Sequence, residues 1–182
     1  MKYTALFTLG LSTVLSGYAI AQAVSPSASS LALLPSEIQA PADQQLLLTV
    51  RAEGDQIYTC QAKADVPNQF EWTLKAPEAL LYDERGQEVG HHYGGPSWEM
   101  KDGSKIVGQL QSKVDAPEAS AIPWLLLQVK SHEGDGVLSQ VNWIQRVNTV
   151  GGKAPQTGCN LMHQNQEIRV NYAADYYFFG QE

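Results

Sequence analysis

An all-β fold, a single-domain antiparallel sandwich or small barrel with at most one or two short helices, is the class this chain's hydrophobic rhythm predicts. Three observations carry it. Apolar residues alternate with a period near two, the segments between turn signals are short, and those segments are rich in β-branched and aromatic residues. Turn signals recurring at roughly 8 to 12 residues suit a sandwich or barrel better than a layered α/β fold.

The elements follow in order. "QLLLTV" (45–50) is a continuous apolar run, as expected of a strand covered on both faces, and "QIYTC" (56–60) is a second β-rich piece. Phe70, Trp72 and Leu74 alternate with Gln69, Glu71 and Thr73, the pattern of a half-buried strand. Asp83-Glu84-Arg85-Gly86 reads as a turn. Lys101-Asp102-Gly103-Ser104 separates "SWEM" from "KIVGQLQSKV" as an Asp-Gly hairpin would. "IPWLLLQVK" (122–130) opens on Pro123, where a missing N–H does least harm to a ladder. Glu133-Gly134-Asp135-Gly136 divides it from "VLSQVNWIQRV", and "QEIRVNY" (166–172) closes the series. Only "PEALLYDE" (77–84) and "YAADYYFF" (172–179) offer short helices, and the second reads equally well as an edge strand.

Residues 1–21 have the layout of a signal peptide: Lys2, then an apolar stretch to Ile20 too broken to span a bilayer as a stable helix. Cleavage is expected after Ala21 or Ala23. No cysteine stands at that junction and no twin arginine precedes the apolar run, so the expectation is a soluble product of ordinary export, periplasmic or extracellular. Ser, Ala and Pro dominate 22–40, an extended lead-in, and the β-rich domain runs from 41 to 182. A mature chain of about 160 residues suits one domain with its own core, here expected to be a monomer.

Charge narrows the partners. The chain carries a net −7 with 12 Lys and Arg scattered singly, which argues against nucleic acid and gives no basic patch for an anionic membrane. Two cysteines entering an oxidising compartment make a Cys60–Cys159 bridge the simplest expectation. Closing a loop of about 100 residues is worth up to about 4.7 kcal/mol in the chain-entropy model. The rivals are a reactive thiol and a metal-ligand pair, but neither cysteine has a CxxC partner or an adjacent His.

Several phrases together resemble an exported family known as domain of unknown function 3455: "QIYTC", "PEALLYDERG", "HHYGGPSWEMKDGSKIVG", "IPWLLLQVKSHEGDG", "IQRVNTVGGKAP" followed by Cys159, and "YAADYYFF". The resemblance covers most of the mature chain. It implies a secreted, single-domain, β-rich protein and no particular chemistry. Some fungal members carry a malate dehydrogenase label. The residues here reject it, because Gly151-Gly152 lack the third glycine of a dinucleotide fingerprint and run into Ala154-Pro155 instead of a helix.

The densest cluster of chemically able residues is "VGHHYGGPSWEMKDGS" (89–104). Adjacent residues of a strand face opposite ways, so His91 and His92 share an ion only if the chain bends at Gly94-Gly95-Pro96. Such a bend would allow a divalent metal on His91, His92, Glu99 and Asp102, the basis of an alternative reading as a metal-dependent enzyme. No H-x-H, HExxH or G-x-S-x-G pattern is present, and no cofactor is predicted. Trp72 and Trp124 stand in apolar strand phases and are expected in the core, whereas Trp98 in the Gly-Gly-Pro loop is expected to be exposed. Arg146 and Asn148, before the flexible Gly151-Gly152, add a cation and an amide. The plainer reading pairs Arg146 with a surface carboxylate. The primary expectation is a domain binding a small polar molecule or glycan through His92, Trp98, Glu99, Arg146 and Asn148. It holds if the two loops meet at one end of the fold. A structural or interaction protein without a pocket is the third reading.

Overall fold

The computed structural model describes residues 33–181. The expected signal peptide, its expected cleavage sites and the first part of the expected lead-in lie outside the described residues. Eight antiparallel strands follow one another around a closed barrel: β1 (Gln45–Ala62), β2 (Phe70–Tyr82), β3 (Glu88–Tyr93), β4 (Ser97–Met100), β5 (Lys105–Val114), β6 (Trp124–Glu133), β7 (Val141–Gly151) and β8 (Glu167–Gly180). Of the two forms the sequence left open, it is the barrel.

Closure depends on β1, which fuses the two pieces seen in the sequence into one strand of 18 residues. Its register with β8 runs from Gln45 to Thr59, and its register with β2 from Arg51 to Ala62. A stagger of this kind lets a twisted sheet meet itself, and no strand is left as a full-length edge. Residues 77–82 of "PEALLYDE" belong to β2, with Asp83 and Glu84 in the turn that follows, and "YAADYYFF" belongs to β8; the helical pieces among the described residues are two 3-10 turns, Ser36–Ile38 and Leu161–His163. In the first segment the pairing required by a closed ring overrides local propensity; in the second the strand, one of the two readings left open, is the one formed. Pro77 is tolerated inside β2 because the β2–β3 ladder begins one residue later, at Glu78 opposite Tyr93.

The core lies within the barrel. Val50, Ala52, Leu81, Ile106, Ile144, Ala174 and Phe178 are among the buried residues that fill it. A second cluster lies outside the wall: Leu126, Val147, Tyr177 and Phe179 are covered by residues 33–40, whose Ile38 is fully buried. This strap is held by polar contacts as well, with Ser112 Oγ donating to the Glu37 carbonyl and Gln145 Nε2 to the Ile38 carbonyl. It accounts for the continuous apolar run "IPWLLL": β6 is buried on one side by the core and on the other by the strap.

Cys60 and Cys159 are bonded, with Cα atoms 5.4 Å apart. The bridge ties β1 to the loop before β8. Trp72 does not enter the core; it is half-buried on the outside, beside the bridge, and its Nε1 donates to the Thr157 carbonyl at 3.0 Å. Trp124 also lies outside the barrel interior, packed with the cluster under the strap.

Candidate functional site

Cross-strand register carries distant residues into the same interior. In β3, β4 and β5, Ala79 of β2 faces His92, His92 faces Trp98, and Trp98 faces Ile106. A second row runs from Leu125 of β6 through Arg146 of β7 and Tyr176 of β8 to Val50 of β1. Residues directly opposite one another share a face, so both rows point inward. They enclose a cavity of about 350 Å³ lined by His92, Trp98, Arg146, Tyr176 and Gln56, with Leu125 and Leu127 on its apolar side.

The cavity opens through the wall. The β3–β4 hairpin ends at Tyr93 and Ser97, so β2 before Glu78 and β5 after Val107 have no neighbour between them. Leu74, Lys75, Ala76, Pro77, Gly95, Pro96 and Leu110, which also line the cavity, stand along this notch. Leu74 and Leu110 are each 51% exposed.

Trp98, expected on the surface, is 1% exposed. The Gly-Gly-Pro turn occupies only 94–96, and the indole begins the inward phase of β4. Its ring stacks on His92 at 4.3 Å and 13°, with Tyr176 edge-on at 5.3 Å and Phe178 at 6.3 Å. Gly108 makes room for it: a Cβ there would lie 3.0 Å from the indole and 3.2 Å from Leu127.

His92 Nδ1 lies 2.8 Å from the Ser97 carbonyl. A carbonyl only accepts, so Nδ1 carries the proton and Nε2 is left as an acceptor. Burial, opposed by that hydrogen bond and reinforced by the Arg146 charge, lowers the His92 pKa to about 3. The ring is therefore neutral at physiological pH.

Arg146 donates from Nε and Nη2 to the Pro123 carbonyl at 3.2 and 2.8 Å. The surface ion pair expected for it is not formed: among the described residues no carboxylate stands within 4.0 Å of its guanidinium. Among the described residues, no Asp or Glu lines the cavity. Burial raises the pKa of Tyr176 and Tyr172, while the nearby guanidinium favours the ionised form of each without overcoming burial. These hydroxyls lie close enough to sense one another and Arg146, yet short of hydrogen-bonding geometry. The Tyr176 and Tyr172 hydroxyls, Gln56 Nε2 and Trp98 Nε1 are all buried without a hydrogen-bond partner.

The other predicted residues go elsewhere. Glu99 is on the outer face, accepting from Tyr93 Oη at 2.8 Å and lying 3.7 Å from His91 Nε2. Asn148 is also outside, donating to Asp175 at 2.8 Å. The barrel wall thus separates His92 from His91 and Glu99. Asp102 accepts from Ser104 N, Ser104 Oγ and Val137 N, tying the β4–β5 turn to the β6–β7 loop; those bonds lower its pKa. The four residues of the metal alternative do not converge, and no group of three or more His, Cys, Asp or Glu among the described residues is placed to hold a metal. Gly151-Gly152 belong to the packing: a Cβ on Gly152 would lie 2.8 Å from the Tyr172 side chain, and its carbonyl accepts from Tyr58 Oη at 2.6 Å.

Sequence reasoning missed Gln56, Tyr172 and Tyr176. The signal for the tyrosines was present, since Tyr172, Ala174, Tyr176 and Phe178 form a two-residue period that marks one face of a strand. Gln56 carries no comparable signal.

Fold and cavity together define a class: a small closed antiparallel barrel with a mixed polar and apolar interior reached through a lateral notch. The chain belongs to the family described as protein of unknown function (DUF3455), which matches residues 41–180. None of the curated proteins and none of the solved structures matches it. The match begins after the strap, so the segment that buries Ile38 lies outside it.

Proposed function

We propose that this chain is an exported ligand-binding barrel that takes a small organic molecule into its interior. The observation that carries this reading is the cavity of about 350 Å³, which combines Arg146 without a carboxylate partner, three lining residues with unpartnered buried polar atoms (Gln56, Trp98 and Tyr176) and a leucine wall. Buried polar groups without partners are costly, and a ligand that supplied partners would recover part of that cost. The volume lies within the range of small-molecule sites. A glycan chain stacking on Trp98 fits less well, because His92 covers one face of the indole and Tyr176 and Phe178 pack against it edge-on. Export is supported by the leader-like sequence and by the disulfide. Among the described residues, no helix is long and apolar enough to cross a membrane.

Binding over catalysis is favoured by the surroundings of His92. Its Nδ1 is tied to a backbone carbonyl, and the Ser97 hydroxyl donates to the Gly94 carbonyl instead of to the imidazole. The test is a thermal-shift screen of the mature protein against small organic molecules, repeated with Leu110→Trp, which narrows the notch at an exposed position. A native-state ligand must raise the apparent stability. The expected result is a shift that the rim variant loses. A shift that persists in Leu110→Trp would place the ligand outside the barrel and sink the proposal.

A further inference from the structure

We propose that the ligand is a monocarboxylate with an apolar body of medium-chain size, its head on Arg146 and its body along Leu125, Leu127 and the rim leucines. The inference rests on the reading of the cavity as a ligand site and adds the chemistry of what enters it.

Charge comes first. Arg146 is a cation on the cavity wall; among the described residues no Asp or Glu lines that wall, and the other cation lining the cavity is Lys75 at the rim. Lys75 is engaged by Glu167 at 2.6 Å, which leaves Arg146 as the unneutralised charge. A neutral guest would leave the guanidinium without a counter-ion, and a cationic one would be repelled. Geometry narrows the anion. Pro123 takes Nε–H and one Nη2–H, so the edge formed by Nη1 and the second Nη2 proton has no protein partner among the described residues. Two parallel N–H groups match the two oxygens of a planar carboxylate. A dianionic phosphate group would leave charge uncompensated against this single guanidinium. Tyr176 stands directly opposite Arg146 in the β7–β8 register, and its Oη has no partner among the described residues and can donate to the same head.

The remaining wall sets the nature of the body. Leu125, Leu127, Leu110, Leu74, Pro96 and Pro77 carry no polar side-chain atom and run from the interior to the notch. A hydrophilic tail would lose its water there without replacement hydrogen bonds, whereas an aliphatic or aryl tail gains by burial.

Titration calorimetry of the mature protein with decanoate and decylammonium below their micelle concentrations, and with decanol below its solubility limit, tests this. Decanoate is expected to bind about tenfold or more tightly than either neighbour, the value of a charge-assisted bidentate contact. Arg146→Met should remove that preference, bringing decanoate and decanol to about the same affinity. If that variant fails to fold, Arg146→Lys, which keeps the charge and loses the fork, should weaken decanoate several-fold. Equal affinity for decanoate and decanol in the unaltered protein would overturn the carboxylate assignment while leaving the cavity reading intact. Preference for decanoate that survives Arg146→Met but vanishes in Lys75→Met would overturn the placement on Arg146. Binding of none of the three, together with no hit in the small-molecule screen, would remove both readings.

Discussion

His92 is neutral because the barrel encloses it, and this makes it a reporter of folding. Its folded pKa is about 3 against an ordinary value of 6.5. Between those values the unfolded chain binds a proton that the folded chain refuses, so stability rises with pH. The contribution is complete above pH 6.5 and is lost as pH falls toward 3. Its limiting slope is about 1.4 kcal/mol per pH unit. Asp102 also favours higher pH, but its lowered pKa confines that effect below its ordinary 3.8. Urea midpoints measured between pH 4.5 and 6.5 should therefore fall with acidification in the natural protein and flatten in His92→Phe. An identical slope in both would show that the imidazole is not the group responsible.

At the scale of the element, the strap has a consequence for association as well as stability. Residues 33–40 cover Leu126, Val147, Tyr177 and Phe179, with Trp124 and Trp143 packed against the same patch. Ile38 is its anchor, fully buried although it comes from the segment that sequence composition marks as lead-in. Ile38→Ala should cost about 2–5 kcal/mol by chemical denaturation, the range for truncating a buried aliphatic side chain. Removing 33–40 should expose the aromatic patch and drive self-association, visible as a concentration-dependent sedimentation coefficient. A shortened chain that stays monomeric with unchanged stability would show that the strap is dispensable. The β3–β4 hairpin makes a complementary point: its shortness, more than any special residue, opens the barrel wall.

For the whole molecule, closure and the disulfide act together. The bridge spans 99 residues and joins β1, whose pairing with β8 closes the ring, to the loop that leads into β8. Cys60→Ser with Cys159→Ser should lower stability by about 2–5 kcal/mol while keeping the far-ultraviolet signature of a β-protein. Loss of all structure would mean that the ladder cannot close without the bridge. An unchanged urea midpoint would mean that the unfolded chain gains nothing from release of the loop.

Alternation, Asp-Gly turns and an even cysteine count are local signals, and by themselves they determined the all-β class, the turn positions and the Cys60–Cys159 pairing. The division of His91 from His92 was legible for the same reason, since strand geometry sends neighbours to opposite faces. What alternation cannot say is which face becomes the inside. That choice depends on register between strands distant in sequence, and a slip of one residue inverts it. Trp98 was therefore expected outside and lies inside, Glu99 and Asn148 were grouped with it and lie outside, and Trp72 left the core to brace the bridged loop. Arg146 was matched to a surface carboxylate because the sequence offers many. Only the β7–β8 register, which sets Arg146 opposite Tyr176, and the ring that brings it to the same cavity as His92 and Trp98 turned it toward the interior.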